Sequence, residues 1–82
     1  MDTWFLTFTQ DDERRDSWVR IQAASKDEVQ AFVAKRYGIR WDELIPDGNF
    51  NPDIYPDGEL SAFRVLPRRL PDLQAIRLEA AP

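Results

Sequence analysis

The chain has 82 residues, a formal net charge of −4 and neither cysteine nor histidine. That length corresponds to one domain with a small core, and the lack of cysteine excludes a disulfide scaffold and a thiolate metal site. The lack of histidine removes the commonest general base near neutral pH, so we expect a protein that is not an enzyme and that needs no cofactor or metal. The negative charge argues against direct binding of nucleic acid through phosphate neutralisation.

The first residues lack the features of a targeting segment. Residues 1–8 carry an acid at position 2 and only a short apolar run, which predicts neither a signal peptide nor a membrane span. We therefore expect a cytoplasmic protein.

Two alternating stretches predict a β-hairpin. Residues 3–9 and 17–23 alternate apolar with other side chains and are rich in aromatic and β-branched residues, as strands with one buried face are. Between them, a short polar loop can return the chain antiparallel. Phe5 and Trp18 fall on the other face, either as a cross-strand pair or as part of a contact surface. The residues predicted to be buried are Leu6, Phe8, Val19 and Ile21.

A capped amphipathic helix is predicted over residues 27–37. Ser25 stands three residues before Glu28, which is the spacing of a capping box. Gly38 stands where a left-handed C-terminal cap is expected. The apolar face, at helical spacing, consists of Val29, Phe32, Val33 and Tyr37.

The middle of the chain predicts a short strand and a long ordered loop. Residues 39–44 are the strand, with Ile39, Trp41 and Leu44 as the side chains that can cover the end of the helix. Residues 45–58 contain several Pro and Asp-Gly or Asn-Pro turn signals. We expect three side chains to anchor this loop to the core: Phe50, Ile54 and Tyr55.

The last part of the chain predicts one more strand and an ambiguous tail. Residues 60–66 read as a strand, with Phe63 and Val65 on one side and Arg64 on the other. After a basic connector, residues 72–80 fit either a short helix or an edge strand, and we favour the helix.

Taken together, these elements predict an α+β fold. The expected sheet is antiparallel, with about three to four strands in β-β-α-β-β order, packed against one main helix. We expect a single domain with a compact core at about residues 3–66 and a basic connector and tail at 67–82.

One stretch carries the charge imbalance. Six of the 15 acidic residues fall in residues 41–59, which contain no Lys or Arg. Displayed on a surface loop, they would produce a negative potential able to hold a basic groove that normally receives DNA or RNA. The alternative is a solvated loop in which Asp serves turn formation. The predicted partner-binding residues are these six acids and one aromatic residue: Asp42, Glu43, Asp47, Asp53, Asp57, Glu59 and Trp18.

The sequence gives less support to a metal site or a catalytic site than to an acidic binding surface. Residues 47–51 match the D-x-N-x-N opening of a calcium loop, but Pro52 and Gly58 replace the required Gly and Glu. The serines have no histidine to activate them. Two basic pairs, Arg14-Arg15 and Arg68-Arg69, are too short for a nucleic-acid patch, and we expect them to be solvated loop charge.

Four segments are similar to a group of small uncharacterised accessory proteins encoded by phages and prophages. They are WFLTF at residues 4–8, WVRIQAASKDE at 18–28, Tyr37-Gly38 followed by Trp41, and NFNPDIYPDGEL at 49–60. The resemblance implies a mobile-element protein in a bacterial cytoplasm. Such proteins include inhibitors of host defence, among them anti-CRISPR proteins that bind an effector where nucleic acid should bind. The resemblance carries over no catalytic or binding residues.

The first hypothesis is therefore a non-enzymatic, protein-binding inhibitor, in its most specific form an anti-CRISPR protein. Its acidic stretch would act as a DNA mimic on a CRISPR effector or another nucleic-acid-processing complex, without contacting nucleic acid or a membrane. The alternative is a structural or assembly accessory protein that self-associates through exposed aromatic residues and sheet edges. The sequence does not distinguish a monomer from a homodimer.

Overall fold

The computed structural model describes residues 2–66 and 74–78. These residues form an α+β fold, which confirms the predicted class. The order is β1 (Asp2–Thr7), β2 (Ser17–Ala23), α1 (Lys26–Tyr37), β3 (Leu44–Pro46), 3-10 turns at Asp47–Asn49 and Pro52–Ile54, β4 (Gly58–Leu66) and β5 (Gln74–Arg77).

The described strands form one mixed sheet in the order β3-β1-β2-β4-β5. β1 pairs antiparallel with β2 and β3, and β4 pairs antiparallel with β5, but β2 and β4 are parallel. The prediction of a wholly antiparallel sheet of about three to four strands is wrong in this respect. The long connection from β2 to β4 holds α1 and β3, and such a length is what a parallel crossover requires.

The predicted hairpin and its buried face are confirmed. β1 and β2 pair with Leu6 opposite Val19, and every side chain predicted for this face is 2% exposed or less. α1 lies on this inner face, where Phe32 contacts Phe63 with ring centroids 5.0 Å apart. The core therefore lies between the helix and the inner face of the sheet. Its buried side chains include Leu6, Phe8, Val19, Ile21, Val29, Phe32, Val33, Phe63 and Val65.

The helix begins and ends as the sequence predicts, within one residue. Ser25 Oγ accepts a hydrogen bond from the Glu28 backbone N–H at 3.3 Å, which satisfies one of the free donors of the first turn. Gly38 follows the helix with φ +64° and ψ −123°. The positive φ would strain a side chain, but this ψ lies outside the left-handed helical region, so the cap differs from the left-handed one predicted.

The third strand lies later in the chain than predicted. β3 is Leu44–Pro46. Ile39 is 93% exposed, so its predicted cover of the helix end is wrong. A turn follows the helix at residues 38 and 39, and the Trp41 indole N–H donates to the Gly38 carbonyl at 3.0 Å. Trp41 packs against the core, as predicted, although the residues around it do not form a strand.

The segment after β3 crosses the sheet face opposite α1, called here the outer face. Phe50 stacks on Phe5 with centroids 4.1 Å apart, and Tyr55 meets Trp18 edge to face at 6.3 Å. Ile54 is 65% exposed, so its predicted role as an anchor is wrong. Two of the three expected side chains thus hold the segment to the sheet.

The favoured helix in the tail is also wrong. Gln74–Arg77 forms edge strand β5, paired with β4, and the Leu78 N–H donates to the Ala62 carbonyl at 2.7 Å. Residues 67–73 and 79–82, including the Arg68-Arg69 connector, lie outside the described residues.

Candidate acidic interaction surface

All six predicted acidic residues are exposed, and four of them lie at one end of the sheet. Glu43 accepts a backbone hydrogen bond from Thr7 at 3.0 Å, Thr7 is opposite Trp18, and Trp18 is opposite Glu59. Three strand spacings therefore separate Glu43 from Glu59, or roughly 14 Å. Asp42 precedes Glu43, and its N–H donates to the Thr7 carbonyl at 2.8 Å.

A fifth carboxylate joins this end, although the sequence analysis did not select it. The Asp57 N–H donates to the Asp16 carbonyl at 3.0 Å, so the turn before β4 lies against the start of β2. We call the surface formed by these residues the acidic end. It consists of Asp16, Asp42, Glu43, Asp57 and Glu59.

The other two predicted acids lie elsewhere. Asp47 follows Pro46, and Pro46 is opposite Trp4, which is three strand residues, or about 10 Å, from the level of Thr7. Asp53 lies in the second 3-10 turn on the outer face, where the Asn51 side chain accepts a hydrogen bond from its N–H at 3.1 Å. The continuous acidic run of the sequence is thus divided in space between three places.

Most of the acidic end is not neutralised by the protein's own cations. Within residues 2–66 and 74–78, one member forms an ion pair: Glu59 Oε1 lies 2.8 Å from Arg20 Nε. Both side chains are 37% exposed, and an ion pair so open to solvent contributes little to stability. No partner within 4.0 Å is found in these residues for the four remaining carboxylates.

Two arginines, Arg14 and Arg40, lie against a different acid, Asp12. The Arg14 guanidinium donates to both carboxylate oxygens of Asp12 at 2.9 Å, and Arg40 lies 3.9 Å from the same group. The hydrogen bonds from Arg14 hold the pKa of Asp12 well below its usual value. Arg14 also lies over the Phe8 ring, 4.2 Å from its centroid, so the expectation that Arg14 is solvated loop charge is wrong.

The Asp12 and Arg14 pair could have been recognised from a short local signal. The Asp12 side chain also accepts the Arg14 backbone N–H at 2.8 Å, which is the i to i+2 pattern of an Asx turn. In a charged loop many such pairs can be drawn from the sequence. The burial of Asp12, whose side chain is 5% exposed, could not be read from the spacing.

An aromatic cluster fixes the outer-face segment beside the acidic end. Phe50 lies at its centre, stacked on Phe5 and Tyr55 and edge to face with Trp18 at 5.2 Å. Trp18 is half-buried in this cluster, so part of its ring already contacts its own chain. Its predicted contact with a partner remains a prediction.

The calcium alternative gains nothing from the geometry. Among the described residues, no group of three or more carboxylates is arranged so that it could hold a metal ion. In the D-x-N-x-N segment, the Asn51 side chain is used to cap the next turn.

The same part of the chain contains no helix that is both long and apolar enough to span a membrane.

The fold and this surface define a small α+β domain in which one end of the sheet carries a group of acidic side chains. Comparison with protein-family models, with curated proteins and with solved structures found no match. The phage and anti-CRISPR relationship therefore remains an expectation from the sequence.

Proposed function

We propose that this chain is a non-enzymatic inhibitor that acts in a bacterial cytoplasm. Its acidic end would bind a basic surface where a CRISPR effector, or another nucleic-acid-processing complex, normally receives DNA or RNA. The observation that carries the proposal is the acidic end itself: Asp42, Glu43 and Asp57 are exposed, Asp16 is half-buried, and none of these four has an ion-pair partner within the described residues.

Charge of this kind favours a basic partner for a simple electrostatic reason. Carboxylates without intramolecular ion-pair partners produce a negative electrostatic potential that is not cancelled locally. A negatively charged surface attracts and orients a positively charged one. A groove that binds nucleic acid already carries Lys and Arg positioned for phosphate. The backbones of Glu43 and Glu59 are roughly 14 Å apart, so the carboxylates of the acidic end would act together on such a groove in place of phosphates.

Rigidity is the second support. Backbone hydrogen bonds join Asp42 and Glu43 to β1 and join Asp57 to the start of β2. Charges held on a sheet need less ordering on binding than charges on a mobile tail, and a smaller entropy cost leaves more of the interaction as affinity.

A competition experiment tests the proposal. Purified CRISPR effector complexes of several types would be immobilised, and binding of the chain would be measured with and without target DNA. We expect at least one effector to bind the chain and target DNA to displace it, with affinity falling as salt is raised. Binding that target DNA leaves unchanged would contradict the proposed site, and absence of binding across the panel would contradict the anti-CRISPR role.

The alternative, self-association through exposed aromatic residues and sheet edges, has less support. Phe5 and Trp18 contact Phe50 of the same chain, and the edge strands β3 and β5 have three and four residues. Sedimentation equilibrium separates the two functions. We expect a monomer at micromolar concentration, whereas a stable dimer in which Trp18 fluorescence is shielded from quenchers would favour assembly.

A further inference from the structure

A second feature that can recognise positive charge lies at the end of the sheet opposite the acidic end. A groove of about 430 Å³ is lined by Asp2, Thr3, Trp4, Pro46, Asp47 and Gly48. We call it the Trp4 groove. Its volume is within the range of about 300 to 1,000 Å³ found for small-ligand sites.

The walls of the Trp4 groove combine an aromatic ring with two carboxylates. Trp4 is half-buried, whereas Asp2 and Asp47 are exposed. Neither carboxylate has an ion-pair partner within 4.0 Å among residues 2–66 and 74–78. The face of an indole attracts cations through its quadrupole, and carboxylates accept hydrogen bonds from them.

The Trp4 ring already attracts a cation in this chain. Lys26 Nζ lies 5.8 Å from the ring centroid, near the outer limit of about 6 Å for a cation–π contact. Lys26 is not among the residues that line the groove. None of the described residues that line the groove is a Lys or Arg, so among them the groove has no cation of its own.

We propose that the Trp4 groove binds a basic side chain, with arginine the best match. A planar guanidinium can stack on the indole while its N–H groups donate to Asp2 and Asp47, which the compact ammonium of lysine does less well. The inference rests on the proposed function in one respect: the arginine would belong to the basic surface of the partner. The groove would then bind one specific side chain of the partner, in addition to the less specific electrostatic attraction at the acidic end.

Titration with N-acetyl-arginine amide, followed by NMR, tests the groove without any partner protein. The indole N–H signal of Trp4 is the reporter, and the signals of Trp18 and Trp41 are internal controls. N-acetyl-citrulline amide is the neutral control of equal shape. We expect arginine amide to shift the Trp4 signal with a dissociation constant on the order of 1 mM, since few atoms are in contact, and citrulline amide to leave it unchanged.

Two variants locate the site. Asp2→Asn with Asp47→Asn should weaken arginine amide binding by about fivefold or more. Asp53→Asn, which removes an exposed carboxylate from the outer face, should leave it unchanged. The proposal that the Trp4 groove binds arginine would be overturned by any of three results. These are equal shifts with both amides, equal affinities in both variants, and no shift of the Trp4 signal. None of these results depends on an effector, so they leave the acidic end to be judged by the competition with DNA.

Discussion

Asp12 and Arg14 show how one buried pair changes the charge available at a surface. Asp12 holds Arg14 by two side-chain hydrogen bonds and one backbone hydrogen bond, and Arg14 in turn covers the Phe8 ring. A buried carboxylate needs such partners, because an unpaired one would lose its hydration without compensation. The pair therefore stabilises the hairpin loop, and the charge of Arg14 is taken up by Asp12.

Replacement of Asp12 by asparagine should lower the free energy of unfolding at neutral pH. Arg14 keeps the pKa of Asp12 well below its usual value in the folded chain, whereas in the unfolded chain it is about 3.9. The stabilisation is therefore complete above about pH 4 and decreases as pH falls towards the lower folded value. Urea unfolding of parent and Asp12→Asn at pH 7 and pH 2.5 checks this: the difference should shrink at pH 2.5, and a difference independent of pH would contradict the role of the charge.

Phe50 is the side chain on which the outer-face segment depends. It contacts Phe5, Trp18 and Tyr55, so Phe50→Ala should reduce the free energy of unfolding by about 2 to 3 kcal/mol. Ile54→Ala, at a position in the same segment that is 65% exposed, is the matched control and should change the free energy of unfolding by less than about 0.5 kcal/mol. Denaturant titration measures both, and similar values for the two variants would show that the cluster does not hold the segment.

At the scale of elements, α1 is the part of the fold most fully specified by its own residues. The Ser25 cap and the acidic first turn, Asp27 and Glu28, complement the free N–H groups at the start of the helix, and Lys35 and Arg36 complement its end. Burial of Val29, Phe32 and Val33 then fixes the helix on the sheet.

Ser25→Ala should cost about 1 kcal/mol of folding free energy, because the Glu28 N–H loses its acceptor. Ser25→Asp, which restores an acceptor and adds a favourable charge, is the control and should recover the parent value or exceed it. Thermal unfolding followed by circular dichroism reports both. Equal melting temperatures for the parent and Ser25→Ala would mean that the cap contributes nothing.

Some elements of the fold can be predicted from the sequence and others cannot. The hairpin and α1 follow from signals within a few residues of each other, namely alternation, a cap and an apolar stripe. The parallel pairing of β2 with β4 joins residues about 40 positions apart and leaves no local mark. The same holds for β3, where β1 selects Leu44–Pro46 in place of the more polar residues before it.

The candidate site, like the fold, is predicted only in part from the sequence. The sequence identifies the excess of acid in residues 41–59, because counting charges needs no fold. It does not reveal that Asp16 joins this surface, that Arg20 pairs with Glu59, or that Asp47 lies at the other end of β1. Those facts depend on which strands are neighbours.

At the scale of the whole molecule, the charges are arranged by the order of the strands. The net charge of −4 is not spread evenly, since β3, β1, β2 and β4 bring the acidic end together at one end of the sheet. Removing charge there should have an effect on binding that the same change of net charge elsewhere does not have.

The most direct test compares two variants with the same change of net charge, measured against an effector that binds the parent chain. Glu43→Gln with Asp57→Asn removes two negative charges from the acidic end, and Gln30→Lys with Ala34→Lys adds two positive charges at exposed positions of α1. We expect the first variant to bind about five- to tenfold more weakly, with a shallower dependence on salt, and the second to change affinity by less than about twofold. Equal weakening of both variants would show that net charge alone is recognised, and an unchanged affinity for the first would contradict the acidic end as the binding surface.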